Sequence, residues 1–456
     1  MGQNVRVRRG QRVLLTIKRL GINGEGIAYY KRKICFVPGA LPGEQVVVAL
    51  TAIHPRYLEG RVVEIKRSSN DRVTPRDSYP VGGIELEHLA YPAQLRFKRD
   101  LIKQALAKFK PTGYATYDVR ATIGMTTPYA YRNKAQFQVR RGPNGKLIAG
   151  LYQRGSHRLV DLPTFSTQTP ATMKVMRTVL AAIEELGIAP YDERQHTGVV
   201  RTIVVREAFA THEMQVVIIT RTRALPQAAA LAQMTMQRCP QVVSVMHNVN
   251  PEKTSLVWGA QTMLIAGKPT ITERLGDVTF DLSARAFFQL NPHQTLKLYS
   301  EVGKALALQP GEVLCDAYCG VGTISLFVAG PTQEVRGMDV IPAAIADANE
   351  NARRSGRRHA HYEVGKAEDL FAQWARAGFA PDALVVDPPR TGLDAHLIET
   401  VLRARPPKMV YVSCNPATLA RDLVALTRAY RVEYIQSVDM FPQTARCEAV
   451  VKLSLR

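Results

Sequence analysis

The chain has 456 residues, room for two or three domains, and its 46% apolar content is that of an ordinary globular protein. It has no run of 18 apolar residues and no apolar segment behind the N-terminus, so neither a membrane span nor a secretory leader is expected; six cysteines without a CxxC pair argue against a zinc knuckle or a disulfide framework and fit a reducing cytoplasm. A formal charge of +21 calls for a polyanionic partner, nucleic acid first.

The positive charge is steepest at the start, where residues 1–70 carry 13 Lys and Arg against 4 Glu. Residues 1–10 read as a flexible basic arm. Short strand patterns follow at 12–17, 34–37, 44–50 and 58–66, separated by turn signals at Gly21, Gly24-Glu-Gly26, Pro38-Gly39 and Pro42-Gly43. That spacing predicts a small barrel. Lys31-Arg-Lys33 beside Tyr29 and Tyr30 offers cations for phosphates and rings for bases. Gly24-Glu-Gly-Ile-Ala28 and Phe36-Val-Pro-Gly-Ala-Leu-Pro-Gly-Glu44 resemble the TRAM domain, an OB-like RNA-binding barrel. Residues 1–68 are therefore expected to form the arm and the barrel.

Residues 68–92 are a Pro- and Gly-rich connection, and 93–110 a basic amphipathic helix. Strand patterns at 135–140, 147–152, 199–206, 214–220 and 242–248 and helical ones at 170–187 and 225–238 predict a central α+β domain over 69–275. Its turns carry Tyr131-Arg-Asn-Lys134 and Arg154-Gly-Ser-His-Arg158, the first of them a candidate grip on RNA.

From 276 to 456 the pattern changes to repeated strand–helix units, the mark of a doubly wound α/β domain. Strands are expected at 313–317, 334–338, 383–387 and 408–412, with an antiparallel pair at 431–439 and 447–455 closing the sheet. In such sheets the carboxyl ends of the parallel strands face the ligand crevice. Four of these ends carry chemistry. Asp316-Ala-Tyr-Cys-Gly-Val-Gly-Thr323 joins a strand to a helix but lacks both the GxxxxGK[ST] phosphate loop and a full GxGxxG. Asp339 ends the next strand and can hold a ribose diol. An adenosyl group without phosphates suits the two together, which points to S-adenosylmethionine. Asp387-Pro-Pro-Arg390 ends a third strand, where prolines break the sheet and expose Asp387. Cys414 ends the fourth, before the turn at Asn415-Pro416, where a thiol can serve as a nucleophile.

Taken with Phe287-Phe-Gln-Leu-Asn291, Val412-Ser-Cys-Asn-Pro416 and Asp439-Met-Phe-Pro-Gln-Thr444, the set resembles the RNA (uracil-5-)-methyltransferase family over nearly the full chain, and most closely its TRAM-containing branch that acts on 23S ribosomal RNA. The resemblance implies a Rossmann-like S-adenosylmethionine domain. It assigns Cys414 as the nucleophile that adds to uracil C6, and Glu448 as the base that removes the C5 proton. Gln289, Tyr318, Asp339 and Asp387 take cofactor-binding positions. It implies RNA as partner, no membrane and a monomer. Methylation of the T-loop uridine of tRNA is the alternative with the same chemistry, and a non-catalytic RNA chaperone the remote one. Three positions depart from the family pattern. Asp339 stands where a Glu is usual, Arg446-Cys-Glu448 replaces His-x-Glu, and Val81-Gly-Gly-Ile-Glu-Leu-Glu-His88 keeps the frame of an iron–sulfur motif without its cysteines. Apolar side chains cannot ligate iron. No cluster is therefore expected, and Val81, Ile84 and Phe165 are expected to pack in its place, with Asp77 near the first ligand position.

Overall fold

The structure, a computed structural model, describes residues 7–330 and 332–456; positions 1–6 of the expected basic arm lie outside the described residues. Six strands make the first unit: β1 (Arg12–Thr16), β2 (Arg19–Leu20), β3 (Gly26–Tyr30), β4 (Lys33–Val37), β5 (Gln45–Ile53) and β6 (Tyr57–Arg67), in the order β1-β5-β6-β4-β3-β2. Alternate residues of β1 and β5 turn inward, so Val13, Leu15, Val46, Val48 and Leu50 meet Ala28, Cys35, Val37 and Leu58 in one small core. The Ile17 N–H bonds Glu44 O at 2.9 Å and the Lys18 N–H bonds Ile27 O at 2.8 Å, which stitches the end of β1 to both flanks and closes the barrel. Gly60 is required where β6 crosses β5, because a Cβ there would lie 2.2 Å from Val48 Cγ1. Tyr29 and Tyr30 belong to β3 and Lys33 to β4, so the turn itself is Lys31-Arg32.

The helix α1 (Tyr91–Phe109) buries Ala93, Phe97, Leu101, Ile102 and Leu106 along one stripe. That stripe joins the core of the C-terminal sheet, and residues 118–123 run beside the strand Tyr430–Val438 of the same sheet. A seven-stranded sheet follows: β7 (Lys134–Arg141), β8 (Leu147–Tyr152), β9 (Leu159–Asp161), β10 (Val200–Glu207), β11 (Met214–Thr220), β12 (Val242–Val249) and β13 (Gln261–Gly267), with α2 (Pro170–Glu185) and α3 (Ala228–Arg238) packed on one face. The hairpin β14 (Ile271–Leu275) and β15 (Val278–Leu282) leads into α4 (Pro292–Leu306).

The last sheet contains β16 (Val313–Ala317), β17 (Glu334–Asp339), β18 (Ala360–Val364), β19 (Ala383–Val386), β20 (Lys408–Ser413), β21 (Tyr430–Val438) and β22 (Glu448–Leu455). Their order is β18-β17-β16-β19-β20-β22-β21; the first five are parallel, and β22 lies antiparallel to both β20 and β21. This is the Rossmann-like arrangement with its antiparallel closing pair. Between the strands run α5 (Thr323–Val328), α6 (Pro342–Arg354), α7 (Ala367–Arg376), α8 (Ala395–Ala404) and α9 (Pro416–Leu426). The chain order reverses between β16 and β19, and the crevice opens there. Among the described residues no helix is long and apolar enough to cross a membrane.

Candidate active site

The crevice is built from strand ends. After β16 the chain turns through Tyr318, Gly320 and Gly322, all at positive φ, before α5 begins. Tyr318 holds φ +65° without being glycine, a conformation that costs about 1–2 kcal/mol and has to be enforced by its surroundings. Beneath this turn Asp316 is fully buried; one oxygen accepts the Ser325 N–H at 3.3 Å and the other has no partner among the described residues. Burial lifts its carboxyl to about 7. Asp339, at the end of β17, accepts the Gly320 N–H at 3.1 Å and the Ile341 N–H at 3.0 Å, and so ties two loops together. Val340 and Ile341 beside it are exposed. A carboxylate that can accept from ribose hydroxyls, next to uncovered aliphatic side chains that offer the base an apolar face, is what an adenosyl group needs. The residues present therefore fit S-adenosylmethionine.

Asp387 follows β19, its N–H on Ala317 O at 3.3 Å; burial and then Asp316 push its carboxyl up to about 7. Cys414 follows β20. The β20–β22 register pairs Ser413 with Ala449, which sets Cys414 opposite Glu448 at the first position of β22. Burial, Glu448 and Asp387 lift the Cys414 thiol to about 11, against the pull of Arg390. Burial and Asp387 lift Glu448 to about 8, against Lys98 and Arg390. Five of the six cysteines are buried, and Cys414 alone is partly open.

One cavity of about 1250 Å³ is lined by all six residues singled out from the sequence: Gln289, Tyr318, Asp339, Asp387, Cys414 and Glu448. A second groove, about 1130 Å³, runs between the barrel (Arg19, Ile22, Asn23), α1 (Gln104, Lys108) and the Cys414 loop. Cys414, Arg390 and Arg446 line both, so the thiol stands where they meet.

What holds Glu448 in place was not visible in the sequence. The segment between β21 and β22 is clamped from α1: Lys98, wholly buried, donates to the Asp439 carboxylate and to Phe441 O at 2.9 Å, and the Tyr91 hydroxyl donates to Asp439 at 2.9 Å. Gln94 and Gln443 exchange hydrogen bonds at 2.8 and 2.9 Å. Sequence reading makes Lys98 one more cation of a basic helix; its burial depends on a partner 341 positions away. Tyr131-Arg-Asn-Lys134 also needs correction as an RNA grip. Tyr131 is buried with its hydroxyl on Pro442 O at 2.9 Å, and Asn133 is buried with its amide on Gln289 O at 3.0 Å, so both position the crevice instead of meeting solvent.

In the cysteine-less frame, Val81, Ile84 and Phe165 are buried in one apolar cluster, and Asp77 accepts the Ser166 N–H at 2.7 Å. Among the described residues no group of three or more His, Cys, Asp or Glu is placed to hold a metal ion.

Comparison with known proteins agrees with this geometry. The family described as tRNA (uracil-5-)-methyltransferase matches residues 260–456, and the TRAM domain matches residues 6–63. A protein of Lactiplantibacillus plantarum named as an uncharacterized RNA methyltransferase is 64% identical, over 98% of this chain and 93% of its own length. One from Enterococcus faecalis with the same description is 55% identical, over 98% of both chains. The solved structure of Pyrococcus abyssi tRNA (uracil-54, C5)-methyltransferase with S-adenosyl-L-homocysteine aligns with a TM-score of 0.77 at 27% identity, over 97% of this chain and 100% of that one.

Proposed function

This chain belongs to the RNA (uracil-5-)-methyltransferase family and is S-adenosylmethionine-dependent, and on that premise we propose that it methylates C5 of uridine in 23S ribosomal RNA, with Cys414 as nucleophile and Glu448 as base. The observation that carries the reading is the meeting of Cys414 and Glu448 across β20 and β22, in a cavity that Asp339 also lines. Bound S-adenosylmethionine supplies an electrophilic methyl group on a sulfonium. Uracil C5 is a poor nucleophile by itself. The Cys414 sulfur adds to C6, and the displaced π electrons make C5 an enolate carbon that takes the methyl group. Glu448 then accepts the C5 proton, the C6–S bond breaks, and its electron pair returns to sulfur. Arg390, in electrostatic reach of Cys414, favours the thiolate that begins and ends this cycle. Gln289, Tyr318, Asp339 and Asp387 hold the donor, with Asp387 also facing the uracil.

The target uridine has to leave its stack to reach Cys414. The groove between barrel and α1 is its way in, with the barrel (1–68) and the central region (69–275) holding RNA and 276–456 carrying the chemistry. A cytoplasmic monomer is the state in which this reading places it. The same chemistry on a tRNA uridine is favoured by the Pyrococcus abyssi likeness. It spans 97% of this chain, so the barrel alone does not separate the two targets. The test offers unmodified 23S rRNA and unmodified tRNA, with labelled donor, to wild type and Cys414→Ala. Label in 5-methyluridine of rRNA, absent with the variant, is expected; label confined to tRNA would overturn the target, and activity without the thiol would overturn the mechanism.

A further inference from the structure

Arg390 and Arg446 flank Cys414, and neither is held in a pair. Both are exposed, and among the described residues neither guanidinium makes a hydrogen bond or an ion pair. Their main chains, in contrast, are anchored. Arg390 O accepts from the Asn415 amide at 2.9 Å, the Arg446 N–H donates to Thr444 Oγ1 at 3.2 Å, and the next residue, Cys447, bonds Lys98 O through sulfur at 3.4 Å. Ala445 faces Gly24 of the barrel, where an added Cβ would stand 3.6 Å from the Ala445 Cβ. Glu85, the carboxylate in electrostatic reach of Arg446, is already engaged by Arg154 at 3.0 Å and by the Gly83 N–H at 2.9 Å. Burial, and after it repulsion from Arg390, holds the Arg446 guanidinium below its usual value. Two cations carried on anchored main chain, in electrostatic reach of each other and neither held in an ion pair, stand at the junction of two cavities and form a site for an anion.

We propose that Arg446 and Arg390 seat the phosphodiester on the 5′ side of the target uridine. The proposal rests on the uridine reading above. In a pyrimidine nucleotide of the usual anti conformation, C6 faces O5′. When C6 meets the Cys414 sulfur, the 5′ phosphate therefore arrives at the rim that both arginines line. One phosphodiester charge between two guanidiniums leaves a net positive charge beside the thiol, so RNA docking does not cancel the pull on the thiolate. Arg446 then takes on a task for which the usual family His has neither the reach nor the permanent charge.

The test compares full-length wild type, Arg446→Gln and Arg446→Lys on a 23S rRNA transcript and a tRNA transcript, by steady-state methyl transfer and by binding anisotropy over a salt series. Unchanged thermal unfolding and donor affinity first establish that the variants are folded. Arg446→Gln is expected to raise KM for RNA about tenfold with kcat within about twofold, and to flatten the log K against log salt slope by roughly 0.7–0.9, the value for one phosphate; Arg446→Lys keeps the slope. Unchanged KM and slope in Arg446→Gln would overturn the seat, as would a fall in kcat at constant KM, which would place Arg446 in the chemistry. Wild type that methylates neither transcript would sink the uridine reading, while the salt slope still decides whether Arg446 holds a phosphate.

Discussion

Replacing Glu448 by Gln is expected to make the protein more stable and inactive, and the gain should grow with pH. Glu448 is nearly buried, and its carboxyl is lifted from 4.5 to about 8 by burial and by Asp387. The folded state therefore holds this proton more tightly than the unfolded chain does. The resulting contribution to stability is complete below about 4.5 and is lost as pH rises through about 8. At about 1.4 kcal/mol per pH unit, the loss amounts to about 5 kcal/mol by pH 9. Gln has no proton to lose and escapes it. At about 2–4 °C per kcal/mol for a unit the size of the C-terminal sheet, the melting temperature of Glu448→Gln should exceed that of wild type by roughly 10–20 °C at pH 9 and by far less at pH 5. Calorimetry across that range measures the difference. Over the same interval wild-type kcat/KM should rise with pH through about 8 and go on rising toward about 11, because the ionised Glu448 has to accept the C5 proton and the Cys414 thiolate has to add to C6. A melting difference that is constant from pH 5 to pH 9 would refute the argument.

Two further perturbations probe the scaffold and the barrel. Lys98→Met strands the buried Asp439 carboxylate and should cost about 3–5 kcal/mol in urea unfolding, whereas Lys98→Met with Asp439→Leu should recover most of it; a single variant within about 1 kcal/mol of wild type would show that the pair is not sealed from water. Replacing Lys31, Arg32 and Lys33 by Gln should weaken RNA binding and lower the salt slope by about 0.7–0.9 for each phosphate the tip no longer neutralises. Lys31 and Arg32 occupy left-handed backbone at the hairpin tip (φ +48° and +67°), so affinity should fall without loss of fold, and unchanged affinity and slope would remove the tip from the RNA path.

The chemistry was legible because it sits at strand ends. Buried apolar runs that stop at Ala317, Asp339, Val386 and Ser413 read as parallel strands, and parallel strands deliver their carboxyl ends to one edge. Glu448 was different. It lies at the start of a strand, and only the family resemblance pointed to it; the β20–β22 register that brings it to Cys414 is long-range information. The clamp was invisible for the same reason. Helical spacing puts Lys98 on the buried stripe with Leu101 and Ile102 and sets Lys103 off it, but what its charge meets there is Asp439 on another element. Tyr131 and Asn133 looked like turn residues because their partners, Pro442 O and Gln289 O, are main-chain atoms far along the chain. The packing of Val81, Ile84 and Phe165 was readable, since these three of the four ligand positions carry side chains that can only pack, the first falling near Asp77.

The antiparallel closing pair also explains the charge balance of the crevice. Parallel strands alone bring only their final residues to the reactive edge. Adding β22 in the opposite sense brings a first residue there, and so places a carboxylate against the thiol from outside the parallel set. The cost is an accumulation of acids. Asp316 and Asp387 sit near 7 and Glu448 near 8, and burial, then Glu448 and Asp387, hold the thiol near 11. Such a crevice resists taking on negative charge until a cation enters. A sulfonium donor brings that cation, so the carboxylates and the thiol ionise more readily with the donor bound than without it. Once the methyl group has moved, the donor sulfur is neutral and the electrostatic attraction lapses. On the proposed mechanism, the arrangement that makes Cys414 a reluctant nucleophile in the free protein therefore couples its activation to the presence of the methyl group it needs, and loosens the hold on the spent cofactor afterwards.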